Sequence, residues 1–288
     1  CMMGRNDFID FLRVQKRYST RTQVIYDHAI IDFCEFMGIS SSDNPMKDVT
    51  LTGLRLYTGH LLEQGLSAAT VYQRLSALSS FCNYLVKKEA LPDNPLNLLI
   101  RPKKGRRIPE FYPEGKINGM IDKKETAPSQ VQMMIHLLYA TGIRRAELAG
   151  IRTGDLDFDR SLLRVKGKGN KERDVPLSDG LVRDLQSYME KREVPSPWLF
   201  CRKNGDPIAL TTISKMVHRE LSAEPGFTGK KSPHVLRHSL ATHLLNRGAD
   251  LNSIKELLGH TSLAATQVYT HNSFEVLKKA YQKAHPRA

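Results

Sequence analysis

The chain has 288 residues, of which 40% are apolar, and its formal net charge is +13 at pH 7. This length favours two domains, and this composition excludes a disordered or fibrous chain. The sequence contains neither an apolar run of the ~20 residues that a membrane-spanning helix needs nor a segment of the signal-peptide kind, so we expect a soluble, intracellular protein.

The positions of the charged residues and of the cysteines indicate which partners and ligands to expect. Residues 1–100 carry ten Lys or Arg and ten Asp or Glu, whereas residues 101–288 carry 33 and 20. Because Lys and Arg gain free energy by displacing counterions from a polyanion, this excess favours nucleic acid as a partner. Cys1, Cys34, Cys82 and Cys201 show no zinc-ligand spacing, so we expect reduced thiols, mostly in the core, and no bound metal. We assign no role to Cys1.

Periodic apolar residues predict an all-helical domain over residues 1–91. Helices are predicted over 20–37, 52–63 and 68–88, and Gly38 and Gly65 are predicted to end the first two. Ser67 stands directly before the third helix, which is a favoured position for a hydroxyl N-cap.

Residues 92–113 predict an extended basic linker. Five prolines break any helix in and beside this stretch, and five cations crowd it: Arg101, Lys103, Lys104, Arg106 and Arg107. We expect four of these to lie along a DNA backbone, namely Lys103, Lys104, Arg106 and Arg107. The alternative is a linker that is simply solvated.

Residues 114–288 predict a mainly helical domain with one hairpin. Strands are predicted over 161–165 and 172–176, on either side of a Gly-rich turn at 166–170. Helices are predicted over 179–191, 212–221, 233–246 and 251–258. Residues 274–284 repeat apolar side chains among lysines and could cap their own domain or dock on a partner.

Four fragments of this domain offer groups that suit a phosphate: TGIRRAEL (141–148), VKGKGNKERDVPL (165–177), HVLRH (234–238) and LLGHTSLAATQVYTH (257–271). Breaking a phosphodiester without metal requires arginines that neutralise its oxygens, an activated nucleophile, and an acid that protonates the leaving oxygen. Arg144 and Arg237 suit the first task and Tyr269 the second. Lys168, His234 and His260 suit the last.

Two other interpretations of these fragments fit less well. GKGNK lacks the spacing of a phosphate-binding P-loop and lies in a hairpin rather than between a strand and a helix. His234 and His238 have the spacing of a zinc-protease pair, but Val235 stands where that motif needs Glu, and Arg237 would repel a metal ion.

Taken together, the four fragments resemble the catalytic boxes of the tyrosine recombinase, or phage integrase, family, and specifically its Xer branch of chromosome-dimer resolvases. Their order and spacing agree, with Tyr269 nine residues after His260, and residues 66–86 resemble the core-binding domain of the family. The resemblance implies a mainly α, two-domain fold. An N-terminal helical, SAM-like core-binding domain precedes a C-terminal mixed α/β catalytic domain with a small antiparallel sheet.

The resemblance also implies a set of site residues and an activity. The implied catalytic residues are Arg144, Lys168, His234, Arg237, His260 and the nucleophile Tyr269. Arg173 is expected to bind DNA with the linker, and Glu147 to have a structural role. The implied reaction cleaves and rejoins duplex DNA through a 3′-phosphotyrosine and needs neither metal nor ATP.

The implied partners are a double-stranded recombination site gripped by both domains and, in the synapse, three further copies of the chain that complete a tetramer. Residues 274–284 are the candidate segment that packs into a neighbour, and a second recombinase or a DNA translocase is a further possible partner. We expect the protein in the cytoplasm, at the nucleoid. The alternatives are an integrase of a phage or mobile element, a type IB topoisomerase, and a DNA-binding protein without activity, although all six catalytic groups are present.

Overall fold

A computed structural model of the chain describes residues 4–39, 46–47, 49–103, 110–122, 128–167, 172–225, 227 and 229–259. The chain forms two compact units, Cys1–Arg107 and Ile108–Ala288, and each has its own hydrophobic core. Within the described residues, no helix combines the length and apolarity that crossing a membrane would take. The predicted two-domain, mainly helical fold is confirmed.

The N-terminal unit consists of helices α1 (Arg5–Val14), α2 (Thr20–Met37), α3 (Leu51–Glu63) and α4 (Ala68–Lys87), followed by a 3₁₀ turn (Pro95–Leu98). The bounds of α2 are those that the sequence predicts, and Gly38 follows it with φ of 66°. Ser67 Oγ accepts a hydrogen bond from Thr70 N at 3.2 Å, which confirms the predicted N-cap of α4. Helix α1, which the sequence prediction lacks, buries Phe8 and Leu12 one turn apart.

Part of the predicted linker packs on this unit. Leu96 and Leu99 are buried in its core, and Arg101 donates to Ser76 Oγ at 3.0 Å while its guanidinium lies 5.0 Å from the centre of the Tyr72 ring. Lys103 is exposed. The domain limits at residues 91 and 113 stay predictions, and residues 104–109 of the predicted linker lie outside the described part of the chain.

Three of the cysteines are buried free thiols, as predicted: Cys34, Cys82 and Cys201. Burial raises the pKa of Cys34 to about 11 and that of Cys82 to about 12. Both thiols are therefore protonated at pH 7 and serve as core residues rather than as nucleophiles. Cys1 lies outside the described residues.

The C-terminal unit contains seven described helices and a small sheet. The helices are α5 (Glu114–Asp122), α6 (Gln130–Thr141), α7 (Arg145–Ala149), α8 (Asp179–Glu190), α9 (Leu210–Ala223), α10 (Pro233–Asn246) and α11 (Leu251–Leu257). Strands β1 (Leu156–Asp157), β2 (Leu162–Lys166) and β3 (Glu172–Pro176) pair antiparallel in that order. The predicted hairpin is confirmed as β2 and β3, with Lys166 opposite Glu172.

Helix α6 is the centre of this unit. It buries every residue from Met133 to Thr141 and packs against α8, α9 and α10. Tyr139 Oη and His243 Nδ1 form a buried hydrogen bond of 2.8 Å between α6 and α10. The segment before α5 also binds α10, because the N–H of Tyr112 donates to Ser239 Oγ at 2.9 Å. These contacts fix the helix that carries the HVLRH fragment.

We predict that Tyr139→Phe lowers the free energy of unfolding of the C-terminal unit by about 1–3 kcal/mol, because it leaves a buried imidazole nitrogen without this partner. The single tryptophan, Trp198, lies in this unit, so its fluorescence in a urea titration measures the change. The double variant Tyr139→Phe/His243→Leu removes both polar partners and should lose less stability than the sum of its two single variants. Strict additivity would show that the hydrogen bond contributes nothing.

Candidate active site

Arg144 is held at a tight turn between two helices. Helix α6 ends at Gly142, whose φ is 62°, and Arg144 is the N-cap residue of α7. Its backbone N–H donates to Glu147 Oε2 at 2.7 Å, and its guanidinium donates to Glu147 Oε1 at 2.9 Å and to the Gly259 carbonyl at 2.8 Å. The side chain of Arg144 is thus fixed by its own helix and by the chain just before position 260.

Arg237 lies on α10 and is 7% exposed. Its guanidinium donates to the carbonyl of Gly142 and, at 2.7 Å, to the carbonyl of Leu258. Arg237 therefore joins the end of α6 to the end of α11. The fork of an arginine has further N–H donors, so these two bonds anchor the group without exhausting it.

Glu147 is the carboxylate at the centre of the site. Arg173 on β3 donates to both of its oxygens, from Nη1 at 3.0 Å and from Nη2 at 2.9 Å. The Glu147 side chain is 4% exposed and that of Arg173 is 9% exposed. This buried, bidentate pair ties the hairpin to α7, and with it to Arg144.

The electrostatics of the site favour an anionic ligand. Burial would raise the pKa of Glu147, but the hydrogen bonds from Arg173 and Arg144 outweigh it and lower that pKa. Burial and the repulsion from Arg144 and Arg173 lower the pKa of Arg237 to about 10, although Glu147 opposes this. Two guanidinium groups thus bind one carboxylate and repel a third, that of Arg237, which is still charged at pH 7. A phosphate would relieve their mutual repulsion.

His234 lies in the first turn of α10, one turn before Arg237, and is exposed. Desolvation of part of its ring lowers its pKa, and the positive charges of Arg237 and Lys230 lower it further. The imidazole is therefore neutral at pH 7 in the free protein. Among the arginines of the site, Arg237 is the one whose charge acts on His234.

The structure brings together Arg144, Arg237 and the turn at Gly259 that immediately precedes His260. Lys168, His260 and Tyr269 themselves lie outside the described residues, as do Lys104, Arg106, Arg107 and residues 274–284. Their predicted roles stay predictions. The role of Arg173 in DNA binding also stays a prediction, and its contacts with Glu147 favour a role inside the domain.

The contacts of Glu147 agree with the structural role expected for it, and its pairing with Arg173 goes beyond the sequence prediction. Glu147 stands three residues after Arg144, which is the spacing of a carboxylate that caps a helix start, so its position is a local signal. The pairing of Glu147 with Arg173, 26 residues further along the chain, has no such signal. Within the described residues, no group of three or more His, Cys, Asp or Glu is placed to hold a metal ion.

We predict that Gly142→Ala destabilises the C-terminal unit more than Gly248→Ala does. Both glycines have a positive φ, 62° and 80°, so each alanine costs about 1–3 kcal/mol in backbone strain. A Cβ at Gly142 would also overlap Leu258 Cδ2 and lie 3.0 Å from Leu240 Cδ2, whereas no described atom lies within 4 Å of one at Gly248.

The overlap at Gly142 should add about 1–3 kcal/mol to that strain. Urea titrations followed by Trp198 fluorescence compare the two variants. Equal losses would show that Gly142 serves the backbone conformation alone and not the packing beneath Arg237.

Comparison with known proteins places these features in a family. The phage integrase family profile matches residues 112–276, and that of the phage integrase N-terminal SAM-like domain matches residues 6–89. Tyrosine recombinase XerC of Bacillus licheniformis is 35% identical over 292 residues, spanning 98% of this chain and 95% of the relative. Tyrosine recombinase XerC of Pelotomaculum thermopropionicum is 36% identical over 301 residues, spanning 98% of each.

Among solved structures, a lambda integrase dimer bound to a COC′ core site has a TM-score of 0.69 at 18% identity, covering 92% of this chain and 97% of that one. At this identity the likeness concerns the fold alone. The family profile, in contrast, spans more than half of the chain, and the two relatives match nearly all of it. The chain therefore belongs to the phage integrase family, as a tyrosine recombinase of the Xer type and thus a DNA strand transferase.

Proposed function

We propose that this recombinase cuts and rejoins duplex DNA at a specific site with Tyr269 as its nucleophile and with Arg144 and Arg237 as the groups that hold the scissile phosphate. One observation carries the proposal. Both arginines donate to consecutive carbonyls, those of Gly259 and Leu258, on the chain that leads into His260 and, nine residues later, Tyr269. The proposed phosphate-binding groups are thus anchored to the two residues that directly precede His260.

The reaction is a transesterification. The Tyr269 oxygen attacks phosphorus, the bond from phosphorus to the 5′-oxygen breaks, and a 3′-phosphotyrosine and a 5′-hydroxyl result. In net, the proton of the Tyr269 hydroxyl passes to the 5′-oxygen. In the reverse direction, a 5′-hydroxyl attacks the ester and releases the tyrosine. One phosphate ester replaces another in each step, so rejoining requires no external energy source.

The chain supplies charge and protons for these steps. Arg144 and Arg237 stabilise the negative charge that grows on the non-bridging oxygens, and they are held in place before the phosphate arrives. Lys168 or His260 protonates the leaving 5′-oxygen. His234, which is neutral in the free protein, donates a hydrogen bond to the phosphate, and the charge of the bound phosphate favours its protonated form.

The partners follow from the same assignment. Relatives are named tyrosine recombinase XerC, and the lambda integrase of similar fold is a dimer on a core site, so we infer a double-stranded recombination site and assembly with further copies of this chain. Exchange between two sites would require a tetramer. Resolution of chromosome dimers, in the cytoplasm at the nucleoid, is the proposed biological role, with a second recombinase or a DNA translocase as a possible partner.

We predict that Tyr269→Phe abolishes the covalent complex with a nicked recombination-site duplex and leaves affinity for that duplex within about twofold, because a phenyl ring keeps the packing but has no nucleophilic oxygen. Denaturing gel electrophoresis detects the complex, and a mobility shift gives the affinity. Tyr26→Phe removes a hydroxyl from the N-terminal unit and should still form the complex. A denaturation-stable complex with Tyr269→Phe would refute the assignment of the nucleophile.

We predict that replacing Lys103, Lys104, Arg106 and Arg107 with Ala weakens DNA binding and flattens its dependence on salt, because each lost phosphate contact reduces the slope of log K against log salt by about 0.9. Binding isotherms at several salt concentrations measure this slope. A control variant removes four exposed cations outside the linker, Lys191, Arg202, Lys203 and Lys215, and so matches the loss of charge. If both variants change the slope equally, the linker is only solvated.

A further inference from the structure

We propose that Arg173 is a positioning residue for strand cleavage. Through Glu147 it fixes the guanidinium of Arg144, and through its own planar face it supports the turn at Gly259 that leads into His260. The inference rests on the proposed function. The sequence predicts that this hairpin arginine binds DNA, whereas the inference gives it a role inside the C-terminal unit.

The first step of the argument is geometric. Arg173 binds both oxygens of Glu147, and the same two oxygens hold the backbone and the guanidinium of Arg144. One carboxylate is therefore shared by two arginines, and any rotation of Glu147 moves the hydrogen bonds of Arg144. Arg173 is the partner that restrains this rotation.

The second step concerns charge. A buried carboxylate that faced Arg144 alone would cancel its positive charge, and a phosphate would then meet a nearly neutral pair. With Arg173 bound to Glu147, the group of three retains one net positive charge. Arg144 can thus be held by Glu147 and still attract a phosphate.

The third step concerns the chain before His260. Gly259 has a φ of 63°, and a Cβ built on it would lie 2.9 Å from Arg173 Cζ and 3.0 Å from Nε. The guanidinium plane of Arg173 therefore fills the space that a side chain at position 259 would need, while the Gly259 carbonyl accepts from Arg144. Lysine has no such plane, so it cannot supply this support.

Burial argues against a direct DNA contact by Arg173 in this arrangement. Its side chain is 9% exposed, and among the described residues Nε is buried without a hydrogen-bond partner. To reach a phosphate, Arg173 would have to leave Glu147, and the buried carboxylate would then lose two of its four hydrogen bonds. The neighbouring hairpin arginine, Arg164, is in contrast 57% exposed and pairs with Asp174 across the sheet surface at 3.2 Å.

The experiment compares Arg173→Met and Arg173→Lys with wild type and with Arg164→Met, a matched loss of one arginine from the same hairpin. The rate of covalent-complex formation on a nicked site duplex is measured at saturating protein from pH 5.5 to 9, and affinity is measured separately. We expect both Arg173 variants to cleave about a hundredfold more slowly at saturation. Arg173→Lys, which keeps the charge, should also keep the affinity and its salt slope. Arg164→Met should match wild type in rate.

The pH profile tests the route through Glu147. The charged groups that face this carboxylate are Arg144 of α7, Arg173 of β3 and Arg237 of α10. Without Arg173, fewer hydrogen bonds oppose the effect of burial, so the pKa of Glu147 rises. Cleavage by Arg173→Met should therefore fall more steeply on acidification than cleavage by wild type. The double variant Arg173→Met/Glu147→Gln has nothing to titrate there and should lose this acid limb.

Three results would overturn the inference. Lower affinity with a flatter salt slope, but a wild-type rate at saturation, would make Arg173 a DNA contact. A lower unfolding midpoint with an unchanged rate would make it a structural residue, and a slower rate with the wild-type pH profile would exclude the route through Glu147. Arg173→Lys keeps the charge and so remains informative if Arg173→Met does not fold. If wild type itself forms no covalent complex, it is the proposed function that fails.

Discussion

The arrangement of the site in the C-terminal unit depends on how one buried carboxylate, that of Glu147, is neutralised. Glu147 is 4% exposed, and transferring an unpaired carboxylate to such a place costs several kcal/mol. It is tolerated because Arg173 binds both oxygens and Arg144 adds a backbone and a side-chain hydrogen bond. Each of these partners comes from a different part of the site, so the requirement to neutralise one charge fixes the hairpin relative to the start of α7.

Backbone carbonyls hold Arg237 in the way that Glu147 holds Arg144. The last carbonyls of a helix carry partial negative charge and lack partners within the helix. Arg237 takes one such carbonyl from the end of α6, at Gly142, and another from the end of α11, at Leu258. The guanidinium is thereby oriented without a second carboxylate, which would have cancelled the charge. This explains how a buried cation can be held firmly and still have its charge available to a phosphate.

Sequence patterns predict the elements whose signals are local. Ser67 and Gly38 mark helix ends with groups that act within a few residues, and α10 has the predicted bounds because Pro233 starts it. The sequence prediction lacks helix α6, because its burial from Met133 to Thr141 leaves no polar face and thus no alternation with a period of 3.6 residues. Strand β1 has two residues and exists only through its pairing with β2.

The residues of the candidate site also differ in whether local sequence signals predict their roles. Arg144 and Arg237 follow from motifs that hold their neighbours at fixed spacing, whereas the partner of Arg173 follows from the fold. Sequence shows that a hairpin arginine is positive, and a basic domain makes DNA its expected partner. Burial argues against that expectation, because both Nη atoms of Arg173 donate to an internal carboxylate. In the role proposed for it, Arg173 holds Arg144 rather than contacting DNA, so the count of arginines in this domain exceeds the number that contact a phosphate.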